Sequence, residues 1–298
     1  MRIFLTGATG FIGSHIIPEL QGYGHQITGL ARSDASAAAL KAAGVDVLYG
    51  TLEEPASLLA GVEGAEAVIH TAFDHDFSRF AANCEKDRRV IAALGAALKG
   101  TSRPLIITSG TGMGSGDDGL PATEAVFNPA HPNPRVASEL AGNALLDEGV
   151  DVRVVRLPQV HNTRRQGLIS YYIGLAREKG VAAYIGDGAN GWSAAHVSDV
   201  ARLYRLALEK GQPGERYHAV AEQAVTFFAV AQAVEAGLGV EATSLPPANA
   251  AAHFGWFAAF ASLDLRASGD WTQQRLGWTP RGPSLIADLQ AMDYSTAP

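Results

Sequence analysis

Short apolar runs alternate with stretches of helical spacing through the first half of the chain. Arg2–Thr6, Gln26–Ala31, Val45–Tyr49, Ala67–Thr71, Pro104–Ser109 and Val152–Leu157 read as strands. Each is nearly continuous in apolar residues, the pattern of strands covered on both faces. Between them, Phe11–Gln21 carries helical spacing, Asp34 stands where it would cap an alanine-rich helix over Ala35–Ala43, and a long helix fits Arg79–Lys99. A further helix is expected over about Arg135–Leu146. Strand and helix in repeated alternation predict an α/β fold, a doubly wound parallel sheet with helices on both faces. After about residue 160 the alternation weakens. Tyr171–Lys179, Val197–Lys210 and Phe227–Ala236 read as helices, and Pro246-Pro247 as a break. The expected division is 1–160, with returning segments from 190–225, and a smaller C-terminal cap over 161–298 that completes a pocket against the sheet.

Composition narrows the class. The chain has 298 residues, 47% hydrophobic and 18% charged, enough apolar material for a packed core rather than a disordered chain. With 30 acidic against 23 basic residues, a formal charge of -7 and no dense basic stretch, neither nucleic acid nor an anionic membrane is an expected partner. Cys84 is the sole cysteine, which excludes an internal disulfide and a zinc site built on several cysteines, so no metal site is expected. No apolar run reaches the ~18 residues a bilayer span needs. Arg2-Ile3-Phe4-Leu5 leads straight into a glycine-rich loop with no leader pattern. A soluble cytoplasmic protein is the expectation.

The strongest chemical signal is that loop, Thr6-Gly7-Ala8-Thr9-Gly10-Phe11-Ile12-Gly13, set between the first strand and the first helix. Gly7 permits the tight turn, Gly10 lets a pyrophosphate approach the backbone, and Gly13 allows close helix–strand packing. Free N–H groups at the helix start then hold phosphates. The next strand ends in Gly29-Leu30-Ala31-Arg32-Ser33-Asp34. A ribose 2′-OH is usually held by an acid at this point. Here Arg32 follows the strand instead, and a guanidinium suits a 2′-phosphate. NADP(H) is therefore favoured over NAD(H). Asp34 is the counter-argument, since it stands where it would reach a ribose.

The loop resembles the opening of the extended and atypical short-chain dehydrogenase/reductases, the superfamily that includes the NAD-dependent epimerase/dehydratase proteins. Val68-Ile69-His70-Thr71-Ala72-Phe73, Ile107-Thr108-Ser109-Gly110-Thr111, Arg156-Leu157-Pro158-Gln159-Val160-His161-Asn162, His196-Val197-Ser198-Asp199-Val200-Ala201 and Leu276-Gly277-Trp278-Thr279-Pro280 extend the resemblance, in order, over nearly the whole chain. It implies an N-terminal Rossmann domain and a smaller substrate-binding cap. It also implies cofactor contacts from Gly7, Thr9, Gly10, Phe11, Ile12, Arg32, Ser33, Leu52, Thr71, Ala72, Phe73 and Val160, and dimerisation through the helices at 79–99 and about 135–146.

The chemistry this resemblance implies uses a Ser or Thr, a Tyr, and a Lys four residues after the Tyr. This chain has no Tyr between Tyr49 and Tyr171 and no Lys between Lys99 and Lys179. Counted from Gly149 and Arg156, Pro134 falls at the Tyr position and Ser138 at the Lys position. A shifted register puts His131 and Arg135 there instead. Gly110 falls at the Ser position, beside Thr111. The remaining candidates for chemistry are Ser109, Thr111, Ser138 and His161: hydroxyls that can polarise a carbonyl and a ring that titrates near neutral pH. Asp74-His75-Asp76 reads as a polar loop at the pocket mouth rather than a metal site, and His196 and Asp199 as structural. Tyr171, Tyr172 and Tyr184 lie in the cap. Phe254, Trp256, Phe257 and Phe260 read either as core or as an apolar lid that favours a bulky or aromatic carbonyl compound over a sugar nucleotide. The leading expectation is an NADP(H)-dependent oxidoreductase acting on a small or medium organic carbonyl compound. The alternatives are a catalytically silent NADP(H)-binding sensor, or an epimerase, dehydratase or lyase with bound cofactor.

Overall fold

The computed structural model describes residues 1–116 and 119–295. Its first half follows the alternation: β1 (Arg2–Thr6), α1 (Gly13–Gly22), β2 (Gln26–Ala31), α2 (Asp34–Ala42), β3 (Asp46–Tyr49), α3 (Leu59–Glu63), β4 (Ala67–His70), α4 (Phe80–Ala96), β5 (Leu105–Gly110), α5 (Val136–Asp147) and β6 (Val152–Leu157). Then come β7 (Gln159–His161), α6 (Leu168–Lys179), β8 (Val181–Ile185), β9 (Gly191–His196), α7 (Val197–Lys210), β10 (Arg216–His218) and β11 (Glu222–Thr226). The chain closes with α8 (Phe227–Leu238), β12 (Glu241–Leu245), α9 (Ala250–Phe254), α10 (Ala258–Ala261), α11 (Asp270–Leu276) and α12 (Leu285–Ala291).

β1 to β6 and β10 form one seven-stranded sheet in the order β10-β6-β5-β4-β1-β2-β3, with every pairing parallel. This is the doubly wound Rossmann arrangement, whose strand order reverses beside β1. Alternate residues of one strand feed opposite cores. Ile3 and Leu5 join Ile16, Leu20, Val200 and Tyr204 on the α1–α7 side. Phe4 joins Val68, Leu94 and Leu145 on the α4–α5 side. That two-sided burial is why the strands read as unbroken apolar runs.

The residues after β6 build a separate core around Tyr172, Trp192, Phe227, Phe257 and Leu289. Its strands were not anticipated from the sequence. They pair as β11-β9-β7 and β12-β8, short segments of three to six residues. α7 and β10 return to the large sheet.

One local expectation is corrected. Asp34 does not cap α2; Ser33 does, accepting from Ser36 N at 3.3 Å while the Ser36 hydroxyl accepts from Ser33 N at 3.1 Å. The extended backbone at Ser33 is the conformation a capping residue needs. Asp34 then becomes the first helical residue, where its negative charge favours the helix dipole.

Candidate active site

The glycine loop sits where the strand order reverses. Gly7 has φ 68°, and a Cβ there would stand 2.7 Å from Ala72 N and from the Thr71 hydroxyl. A Cβ on Gly13 would lie 2.1 Å from the Gly7 carbonyl. The turn closes through Gly10 N donating to Gly7 O at 2.9 Å. Thr71 Oγ1 donates to Thr6 O at 2.8 Å, and Ala72 N donates to Thr6 Oγ1 at 3.3 Å, so β1 and β4 fix each other's ends. Thr9 and Gly10 are exposed and Phe11 and Ile12 half-buried over the start of α1. The result is a backbone cradle at a helix N-terminus that side chains would fill, which fits a dinucleotide pyrophosphate.

At the end of β2, Arg32 is exposed and makes no hydrogen bond or ion pair among the described residues. Asp34 is engaged, its Oδ1 accepting from the Tyr49 hydroxyl at 2.9 Å. Leu52, Thr71, Ala72 and Phe73 are half-buried beyond β3 and β4, while Val160 is buried in β7.

Beneath the strand ends runs a polar network. Thr6 Oγ1 lies 2.6 Å from His70 Nδ1, and His70 Nε2 2.9 Å from Asp87 Oδ1. Asp87 Oδ2 accepts from Ser138 Oγ and from Arg135 Nη1, each at 2.6 Å. Arg135 Nη1 also reaches Ser138 Oγ at 2.6 Å, and its Nη2 donates to Thr108 O at 2.8 Å. Burial opposes ionisation of Asp87, but the Arg135 guanidinium, with His70 and Ser138, outweighs it and holds the carboxyl well below the usual range. Ser138 is fully buried, and its hydroxyl is occupied in this network. Arg135 is not sealed in. Its guanidinium lies 4.1 Å over the Phe73 ring, at the carboxyl ends of β4 and β5.

Ser109 and Thr111 are both buried at the end of β5. Behind them Glu139 accepts Arg156 Nε and Nη2, each at 2.8 Å, and Arg216 Nε at 3.0 Å. Arg156 Nη1 ties down Thr123 O and Val126 O. These partners outweigh burial and keep Glu139 ionised. His161 stands in another cluster. It is fully buried, with Nδ1 2.7 Å from Asp288 of α12 and Nε2 3.9 Å from Glu222. His196 caps α7 through Ser198 N, and Asp199 accepts from Arg281 and Gly282, as a structural role requires.

The aromatic residues of the C-terminal part divide. Phe254 and Phe257 are buried in the second core. Trp256 stacks on Phe77 at 5.0 Å and 10°, and Phe260 meets Phe77 at 5.7 Å. Tyr171 touches both Phe77 and Trp256, and Phe80 links Phe77 to Phe73. An aromatic wall thus runs from Arg135 across to Trp256. Tyr172 is buried, its hydroxyl pushed far up by burial. Asp74 pairs with Lys86 at 2.9 Å and Asp76 accepts from Ser78 N, so the loop after β4 is held by its own polar contacts. Among the described residues no group of His, Cys, Asp or Glu is arranged to hold a metal ion.

Sequence reasoning missed Asp87 and His70. The signal was present: Asn83 and Asp87 lie on the helical stripe that continues through Val90, Ile91 and Leu94 into the core. His70 closes an otherwise apolar strand.

Residues 3–220 match the NAD dependent epimerase/dehydratase family. The chain belongs to that family. Such proteins bind a nicotinamide cofactor, and the family places this chain among NAD(P)-dependent enzymes. It is 43% identical over 295 residues, 99% of this chain and 100% of the other, to the uncharacterised protein C2A9.02 of Schizosaccharomyces pombe. It is 27% identical over 242 residues, 76% of this chain and 73% of the other, to a decarboxylating sterol-4-alpha-carboxylate 3-dehydrogenase of Dictyostelium discoideum. A 2-alkyl-3-oxoalkanoate reductase of Stenotrophomonas maltophilia shares 29% identity over 227 residues, 72% of this chain and 67% of the other. The fold matches a UDP-glucose 4-epimerase of Thermus thermophilus with NAD, at TM-score 0.76, 20% identity and full coverage of both chains. No helix among the described residues is long and apolar enough to cross a membrane.

Proposed function

We propose an NADP(H)-dependent oxidoreductase that reduces a small or medium organic carbonyl compound. The observation that carries the cofactor choice is Arg32: exposed, without a partner among the described residues, at the end of β2 beside the glycine cradle, where Asp34 is held by Tyr49. An unpaired guanidinium there offers charge-assisted hydrogen bonds to a 2′-phosphate. The aromatic wall and the relatives named for a sterol carboxylate and an alkyl oxoalkanoate favour an apolar carbonyl substrate over a sugar nucleotide. Ser109 or Thr111 would polarise the carbonyl. With His161 sealed against Asp288, water is the favoured proton source. Residues 161–298 would supply the cap, and α4 and α5 a homodimer contact that sizing at micromolar concentration tests.

The decisive experiment is fluorescence titration of NADPH and NADH on the wild type and Arg32→Ala. Tighter binding of NADPH, reduced by about 10- to 100-fold in the variant while NADH is unchanged, is expected for loss of a charge-assisted pair of about 1.5–3 kcal/mol. Equal affinity for the two cofactors in the wild type refutes the choice. NADPH consumption over a panel of carbonyl compounds then separates turnover from the silent-binder reading, which the missing Tyr and Lys favour. Conversion without net cofactor change would instead mark an epimerase or lyase.

A further inference from the structure

The network around Asp87 spends only part of Arg135. A guanidinium carries five N–H donors. Nη1 uses two, on Asp87 and Ser138, and Nη2 uses one, on Thr108 O. The Nε–H and one Nη2–H have no partner among the described residues. The Arg135 side chain is 14% exposed, whereas its partner Asp87 is 2% exposed. Its bond to Thr108 O and its place over Phe73 put the guanidinium at the carboxyl ends of β4 and β5, where ligands bind in open α/β sheets. Phe73 lies under the guanidinium, and the aromatic contacts run from Phe73 through Phe80 and Phe77 to Trp256.

We propose that Arg135 and this wall form one substrate subsite, which takes a molecule with an apolar, flat body and an anionic oxygen: an aromatic or long-chain carbonyl compound bearing a carboxylate or an enolate. The proposal rests on the carbonyl-reductase reading above and narrows its substrate class. Asp87 already balances the charge of Arg135, so recognition comes from the two free, polarised donors rather than from net charge. Asp87 is a positioning residue: it fixes the guanidinium plane through Nη1 and leaves the other edge open. A neutral ester presents a weaker acceptor to the same fork than a carboxylate does.

The test uses 2-naphthoate and methyl 2-naphthoate as probes, titrated calorimetrically into the full chain with and without saturating NADP⁺. The acid should bind at least about tenfold more tightly than the ester, a difference of about 1.4 kcal/mol. In Arg135→Gln the two should bind within twofold, with the ester unchanged from wild type. Arg135→Lys should retain part of the preference. Trp256→Leu should weaken acid and ester by the same factor. Should Arg135→Gln fail to fold because Asp87 is left buried and unpaired, Arg135→Gln/Asp87→Asn takes its place with the same expectation. Equal binding of acid and ester by the wild type, or an acid preference that survives loss of the guanidinium, overturns the subsite. The cofactor reading fails separately, by absence of NADP⁺ or NADPH binding in the same wild-type preparation.

Discussion

Acidification should strike this fold through His218, and the size of the effect can be worked from its surroundings. His218 is fully buried in β10, with Nδ1 2.8 Å from Ser268 O and Nε2 3.2 Å from Arg156 Nη1. A carbonyl can only accept and a guanidinium can only donate, so the ring is neutral with its proton on Nδ1. A second proton would face Arg156 directly. Burial first, and then Arg156, lower the pKa from 6.5 to about 3. The group therefore binds its proton more readily in the unfolded chain than in the folded one. Its contribution is complete above pH 6.5 and is lost as pH falls from 6.5 toward about 3. At pH 5.5 the unfolded ring is about ten parts protonated to one, which costs about 1.4 kcal/mol of stability relative to pH 7.5. Urea unfolding at pH 7.5, 6.5 and 5.5 on wild type and His218→Gln measures this. Glutamine keeps a donor toward Ser268 and an acceptor toward Arg156 but does not titrate. The wild type should lose about 1.4 kcal/mol more than the variant between pH 7.5 and 5.5. His161, also lowered by burial, acts with the same sign in both proteins and cancels in the comparison. Equal losses in the two proteins would refute the reasoning.

Gly7→Ala forces a side chain into a left-handed backbone position and against Ala72 N at 2.7 Å; cofactor affinity in a fluorescence titration should fall more than about tenfold, with about 1–3 kcal/mol of stability lost to backbone strain. Cys84 is buried and its thiol is pushed up to about 11 by burial. A colorimetric thiol reagent at pH 8 should find essentially no reaction in the native protein and one thiol per chain in urea, and rapid native reaction would place Cys84 at the surface.

What was legible in the sequence followed from how many partners a residue's pattern had. β1, β2, β6 and α7 begin and end where the apolar runs and helical spacing place them, because each is buried by a sheet or helix that leaves no alternative register. The small strands β7 to β12 escaped because three to six residues carry too little alternation to distinguish them from loop. The sequence pattern puts the cap at Asp34, one position late; Ser33 takes it because the Ser36 hydroxyl three residues on completes the capping box. Among the candidates for chemistry, Ser109 and Thr111 fall together at the end of β5, while Ser138 and His161 are drawn into separate buried clusters. Those two placements depend on Asp87 and Asp288, residues 51 and 127 positions away, which no local pattern connects to them.

The absence of a Tyr and a Lys near residues 131–138 therefore does not stand alone. A guanidinium at position 135 brought to the ends of β4 and β5 needs a fixed counter-charge, because an uncompensated charge at a largely buried position costs several kcal/mol. Asp87 supplies it from α4, and Arg135, His70 and Ser138 together outweigh the burial that opposes ionisation of Asp87. His70 and Ser138 complete its shell from β4 and α5, and Thr6 carries the chain of hydrogen bonds back to the strand that opens the glycine loop. The polar residues of this set explain one another. Replacing Asp87 by Asn should therefore loosen Arg135 and Ser138 together, whereas Ser138→Ala, which removes the hydrogen bonds to Asp87 and from Arg135 but leaves the ion pair, should cost about 1–3 kcal/mol.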